Sequence, residues 1–215
     1  MKKTRKLMWY AIMLLALMGV GLVFRRLLIL FHVIPAVPAG TRFVVDTGLK
    51  NHPLLTLVHI IPGLIFVLLS PVLLKLLHQN KKSGNLYILS WLFICSSFVI
   101  GLSAIIMPFI TMPIGGINEA CASELFGIIF LLACTRLANA TQTNNLLAYR
   151  EWLLRCIAIG LAIATTRLIM VLAFAVGKVS PQEFLGTAFW IAFTIHLYVA
   201  ETWIYYRRTM GIKHA

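Results

Sequence analysis

Four ionisable side chains stand inside long apolar stretches of this 215-residue chain: His59, Glu124, Arg167 and His196. If these stretches cross a membrane as helices, each charge costs roughly 2.5–3.5 kcal/mol to insert, so such residues point to function. A helical rise places His59 and Glu124 ~9 Å, Arg167 ~14 Å and His196 ~17 Å from one common end of the helices. A Glu–Arg pair beside a histidine offsets the charges, and it could also hold an anionic group or relay a proton. We call this set the outer polar layer.

A second group of polar residues is expected near the opposite ends of the same helices. This inner polar layer comprises His78, Tyr149, Arg155 and Glu201. Glu201 could form an ion pair with Arg155, or with Arg136 on a neighbouring helix. Arg136 could instead extend its guanidinium to the membrane surface, and the whole set could serve helix packing alone.

The composition supports a membrane protein. Hydrophobic residues make up 60% of the chain and charged residues only 12%, whereas a soluble domain carries about 25% charged residues. The net charge of +13 is typical of basic residues that flank membrane helices, and without a polar basic domain it does not indicate nucleic-acid binding. The four cysteines form no CxxC pair and are interpreted as small apolar residues.

The hydrophobic runs predict one all-α domain over 1–215, a bundle of about six transmembrane helices without a separate soluble domain. The predicted helices lie near 7–24, 53–77, 86–107, 118–140, 152–176 and 184–206. Thirteen of the 19 lysines and arginines fall at one end of these helices and six at the other, which predicts that both termini are cytoplasmic. The segment Phe31 to His52 is then the largest outer loop, and its prolines and glycines indicate irregular structure.

Several short segments together resemble the domain-of-unknown-function family 2306, a group of multi-pass bacterial membrane proteins. They are H-I-I-P-G from His59, Y-R-E-W-L-L-R from Tyr149 and W-I-A-F-T-I-H-L-Y-V-A-E from Trp190. The matching positions are His59, Gly63, Pro71, His78, Gly84, Tyr87, Arg150, Trp152, Arg155, Arg167, Trp190 and Glu201.

The resemblance implies a bundle of six or seven helices in the bacterial plasma membrane, and it implies no reaction. One position departs from the family pattern, because Tyr149 stands where the family usually has a histidine. If that histidine binds a metal or haem, this chain has lost the ligand or replaced it with a phenol.

The sequence leaves three functions open. The protein could bind or transport a small molecule or ion through the outer polar layer, and a chain of this length is then expected to act as a homo-oligomer. It could be a non-catalytic accessory or assembly protein, with Phe43 and Asp46 of the outer loop in a contact surface. It could bind haem b for electron transfer, with His59 and His196 as one axial pair; His78 is the candidate ligand of a second site, whose natural partner position holds Tyr149. No catalytic motif is present, so the sequence leaves open whether the protein is an enzyme. The bilayer is the one partner that the composition itself implies.

Overall fold

The computed structural model describes residues 2–34, 51–78, 84–111, 113–177 and 179–212. Its described residues form six helices and no strand, which confirms the predicted all-α bundle. The helices are α1 Lys2–Leu30, α2 Pro53–His78, α3 Gly84–Thr111, α4 Gly116–Gln142, α5 Leu146–Val176 and α6 Pro181–Ile212. The predicted outer loop lies almost wholly outside the described residues, and so do Phe43 and Asp46.

All six helices are long and apolar enough to cross a bilayer. Large apolar side chains cover much of their outward surface: Val176 is 90% exposed, Ile117 80% and Phe109 76%. A soluble protein rarely exposes so much contiguous apolar surface, whereas lipid chains cover it without cost. The chain is therefore a multi-pass membrane protein.

The fifth helix begins earlier than predicted, at Leu146 instead of residue 152. The side chain of Asn145 accepts a hydrogen bond from the backbone N–H of Ala148 (3.1 Å) and so caps the helix. Asn144 before it has a φ of 52°, a left-handed conformation that asparagine tolerates. This tight turn directs α5 back along α4, and the polar residues that follow it belong to the helix.

Each helix packs against the next one from α2 to α6, and α6 also packs against α4. Helix α1 lies across α2 and α5, which contact each other directly over only a short stretch. Because six helices cross the bundle in turn, both chain termini lie at the same end. We call this the termini end, and the other the far end.

In the middle of the bundle, α2 contacts α5 through one aromatic ring that lies on one glycine. Phe66 stacks on Phe93 with ring centroids 4.7 Å apart, and it meets Phe130 edge-on at 5.8 Å. The ring also lies so close to Gly160 that a Cβ added there would be 2.3 Å from its Cζ atom. We call Phe66, Phe93 and Phe130 the aromatic floor, since the space between α2 and α5 opens on its far-end side.

Replacing Gly160 with alanine should lower the stability of the bundle, because the new methyl group must displace the buried ring of Phe66. Overpacking of this kind costs about 1–3 kcal/mol. The measurement is the thermal midpoint of the purified protein in detergent. Gly21→Ala is the matched control, since a Cβ at Gly21 meets nothing within 4 Å. Equal midpoints for the two variants would contradict the described packing of α2 on α5.

Candidate functional site

A cavity of about 550 Å³ lies between the helices on the far-end side of the aromatic floor. Phe66 and Phe130 close its bottom, and Thr111 and Phe174 line it close to the far end. Along α4 the lining runs from Glu119 to Phe130, a rise of ~17 Å. The cavity is therefore elongated along the membrane normal, and its volume is in the range of small-molecule sites.

The wall of the cavity is mainly apolar and aromatic, and its polar groups lie on several helices. The ionisable and hydroxyl side chains on the lining are Arg25, Arg26, His59, Thr111, Glu119, Ser123 and Arg167. Three arginines against one glutamate give the lining a formal charge of +2. The arrangement can hold a molecule with an apolar body and a negatively charged group.

Glu119 supplies the one carboxylate of this wall, from the first turn of α4. Its Oε2 accepts a hydrogen bond from the backbone N–H of Gly115 at 2.7 Å, which orients the group at the positive end of the helix dipole. The guanidinium of Arg167 is near enough to act on this carboxylate electrostatically. Gly186 lets α6 approach closely here, since a Cβ at that position would be 2.7 Å from the Glu119 backbone nitrogen.

The predicted pair between Glu124 and Arg167 is not formed. Glu124 does not line the cavity, and among the described residues its carboxylate makes no hydrogen bond or ion pair. Glu119 takes the predicted place, five positions earlier in the sequence. At 3.6 residues per turn these two positions point about 140° apart around the helix. The prediction therefore placed the carboxylate in the correct part of α4, near the far end, but on the wrong face of the helix.

His59 lines the cavity as part of the predicted outer polar layer. Its Nδ1 lies 2.8 Å from the Ser103 hydroxyl oxygen. The single proton of that hydroxyl is directed at the carbonyls of Val99 (2.7 Å) and Ile100 (2.9 Å), so Ser103 must accept from the imidazole. The neutral ring therefore carries its proton on Nδ1, which leaves Nε2 as a hydrogen-bond acceptor.

His196, the fourth residue of the outer polar layer, does not line the cavity. Its Nδ1 donates to the carbonyl of Ala158 (2.8 Å), and its Nε2 accepts from the hydroxyl of Thr165 (2.7 Å). Both nitrogens thus join α6 to α5. An axial haem bond from His196 would require it to give up the Thr165 contact, so the structure does not present His59 and His196 as a ready pair of haem ligands.

In the inner polar layer, the structure contains the predicted pair between Arg155 and Glu201. The guanidinium donates two hydrogen bonds, from Nε at 2.6 Å and from Nη2 at 2.9 Å, and its Cζ lies 4.4 Å from the centre of the Trp152 ring. A second pair joins Glu151 of α5 to Arg208 of α6, and Glu151 also lies 4.0 Å from Arg155. These charges compensate one another and connect α5 to α6.

Tyr149 is buried and bonded to Ser90 on α3, with 2.6 Å between the two oxygens. The Ser90 hydroxyl is also directed at the carbonyl of Leu86 (2.6 Å), so the phenol of Tyr149 is the donor. This contact is structural, and Tyr149 occupies the position at which the family resemblance predicts a histidine. The backbone of His78 ends α2, but its side chain lies outside the described part of the structure.

Sequence reasoning missed three residues of the cavity wall, Arg25, Arg26 and Glu119. Each stands close to the end of its apolar run, and a charge there is usually solvated at the membrane surface. The signal that could have found Glu119 is the helical face that it shares with Ser123, Phe126 and Phe130, all of which line the cavity.

No known protein family, curated protein or solved structure matches this chain. The resemblance to family 2306 therefore stays a prediction.

Replacing Tyr149 with phenylalanine should cost about 0.5–1.5 kcal/mol of stability, the usual worth of one hydrogen bond, and leave the cavity intact. Tyr87→Phe is the matched control, because Tyr87 is exposed on α3 and its hydroxyl bonds no described residue. The two variants are compared by thermal midpoint in detergent. A Tyr149→Phe protein as stable as the Tyr87→Phe protein would contradict the structural role.

Proposed function

We propose that this protein binds a small amphipathic anion, a molecule with one carboxylate or phosphate group and an apolar body, in its central cavity. The observation that carries the proposal is the cavity itself, an elongated apolar space of about 550 Å³ with a formal charge of +2 on its wall. The charged group of the ligand faces Arg167 and the two α1 arginines, and its apolar body extends to the aromatic floor.

Charge complementarity supports an anionic ligand. Arg167 lies ~14 Å from the far end of α5, at a depth where a guanidinium is costly to maintain without a compensating negative charge. Glu119 supplies one negative charge to the wall, and the carboxylate or phosphate of a ligand would supply a second beside the three arginines. A guanidinium suits this task because its planar fork can donate two hydrogen bonds to a carboxylate or phosphate.

The part of the cavity next to the aromatic floor supports the proposal that the ligand has an apolar body. Phe126 stacks on Phe193 at the α4–α6 contact, with ring centroids 4.6 Å apart, and both rings line the cavity. Gly63 lines it as well, and a Cβ there would meet nothing within 4 Å. This end of the space offers apolar contact to a chain or ring and few hydrogen bonds.

The proposal extends to the family and the membrane. Three positions of the resemblance to family 2306, His59, Gly63 and Arg167, line the cavity. We infer the bacterial plasma membrane from the resemblance, and cytoplasmic termini from the charge distribution between the two ends. The cavity then lies in the outer half of the bundle, while the internally paired charges of the inner half serve helix packing.

The test compares laurate with 1-dodecanol, which has the same chain length and no charge. With the protein in phosphatidylcholine nanodiscs, laurate should raise the thermal midpoint more than dodecanol does. Arg167→Gln should weaken the binding of laurate about tenfold or more, since a hydrogen bond to a charged group contributes about 1.5–3 kcal/mol. Arg167→Lys should fold normally and bind weakly, because an ammonium lacks the planar fork.

A second pair of variants isolates the cavity from the charge. Gly63→Leu places an apolar side chain in the empty space and should abolish the effect of laurate. Gly21→Leu adds the same side chain on the exposed face of α1, away from the cavity, and should leave the effect unchanged. Equal stabilisation by laurate in all four variants, or by dodecanol and laurate in the parent protein, would contradict the proposal.

A further inference from the structure

A groove of about 410 Å³ runs along the outer surface of α4, α5 and α6 in the termini half of the bundle. Its apolar part faces the membrane, and Leu132 there is 62% exposed. Its polar part lies towards the termini end. The groove is lined by Ile129, Leu132, Ala133, Arg136, Trp152, Arg155, Ile159, Leu197 and Glu201.

Two arginines with different surroundings belong to this groove. Arg155 is already compensated by Glu201, to which it donates two hydrogen bonds. Arg136, by contrast, is exposed and makes no hydrogen bond or ion pair with any described residue. The indole N–H of Trp152 likewise has no hydrogen-bond acceptor within the described ranges. The polar part thus offers donors that the protein itself leaves unused.

The depth of Arg136 places these donors beside lipid. Arg136 lies ~9 Å from the termini end of α4, whose length of ~40 Å exceeds the ~30 Å of bilayer hydrocarbon by ~5 Å on each side. The guanidinium therefore starts just inside the hydrocarbon boundary, within reach of the phosphate and glycerol level.

We propose that this groove binds one phospholipid with a single negative charge. The phosphate accepts hydrogen bonds from Arg136 and Trp152, and an acyl chain lies along Ile129, Leu132 and Leu197. Two arginines and one glutamate give the groove a formal charge of +1, which one phosphodiester neutralises. Basic pockets between helices are known to bind anionic headgroups in this way. The groove shares only Ile159 with the central cavity and none of its charged residues, so this inference does not depend on the proposed function.

Native mass spectrometry of the full chain in detergent tests the site with phosphatidylglycerol, phosphatidylcholine and inorganic phosphate as separate probes. The parent protein should retain one phosphatidylglycerol in preference to phosphatidylcholine. Arg136→Gln should weaken the binding of phosphatidylglycerol about fivefold, the effect of one surface-level basic residue. Arg136→Lys keeps the charge and should retain most of the binding.

Lys75→Gln is the matched control, because it removes the same charge from an exposed position of α2 that does not line the groove. It should bind phosphatidylglycerol as the parent does, and normal elution of each variant in size exclusion shows that it folds. Equal binding by Arg136→Gln and Lys75→Gln would overturn the proposal, and so would equal affinity for phosphatidylcholine. If inorganic phosphate binds the groove by itself and displaces the lipid, Arg136 binds a free anion. That result would also overturn the proposal.

Discussion

The bilayer interior cannot hydrate a polar group, and the rest of this structure depends on that constraint. Among the described residues, no buried side-chain nitrogen or oxygen lacks a hydrogen-bond partner. The hydroxyls of Ser70, Ser97 and Thr141 each donate to the backbone carbonyl one turn earlier in their own helix. A local bond of this kind does not neutralise a charge, so the ionisable groups also need a neighbouring helix, a cavity or the membrane surface.

The polar groups of helix α5 have different kinds of partners at different levels of the helix. Near the termini end, Arg155 pairs with α6. Nearer the middle, Thr165 and the Ala158 carbonyl bind His196. Gly160 and Arg167 are seven residues apart and point in nearly the same direction, within about 20°. That shared face lines the cavity, so the ring of Phe66 on Gly160 sets the bottom of the same space that Arg167 makes basic.

Glycine and aromatic residues act together to create this space. The close contact of Phe66 with Gly160 holds α2 and α5 together at the level of the floor. On the far-end side of the floor, α2 and α5 are connected mainly through α1, which packs against both helices. Gly63 on the open side adds no side chain to fill it. A bundle with a larger residue at position 160 would have to move Phe66, and the floor of the cavity would move with it.

The number and type of the helices were predictable because hydropathy is a local property that a run of about 20 residues displays by itself. The spacing of polar residues along each helix was predictable too, since the helical rise is constant. The face was not predictable: Glu119 and Glu124 lie ~7.5 Å apart along α4, on different faces, and the packing of α4 decides which one reaches the cavity. For the same reason His196 was expected beside His59, although its ring is bound to α5. The place of Arg25 and Arg26 on the cavity wall was not predictable either, because no local pattern shows that α1 packs across both α2 and α5.

The central claim is that an amphipathic anion lies with its apolar end on the aromatic floor. Photo-crosslinking with a laurate analogue that carries a diazirine at the end of its chain measures this position directly. The account predicts adducts on the cavity-lining residues near the floor, such as Phe66, Val67 and Phe130, and competition by unlabelled laurate. Adducts confined to exposed outward residues such as Leu68 and Leu172, without competition, would contradict it.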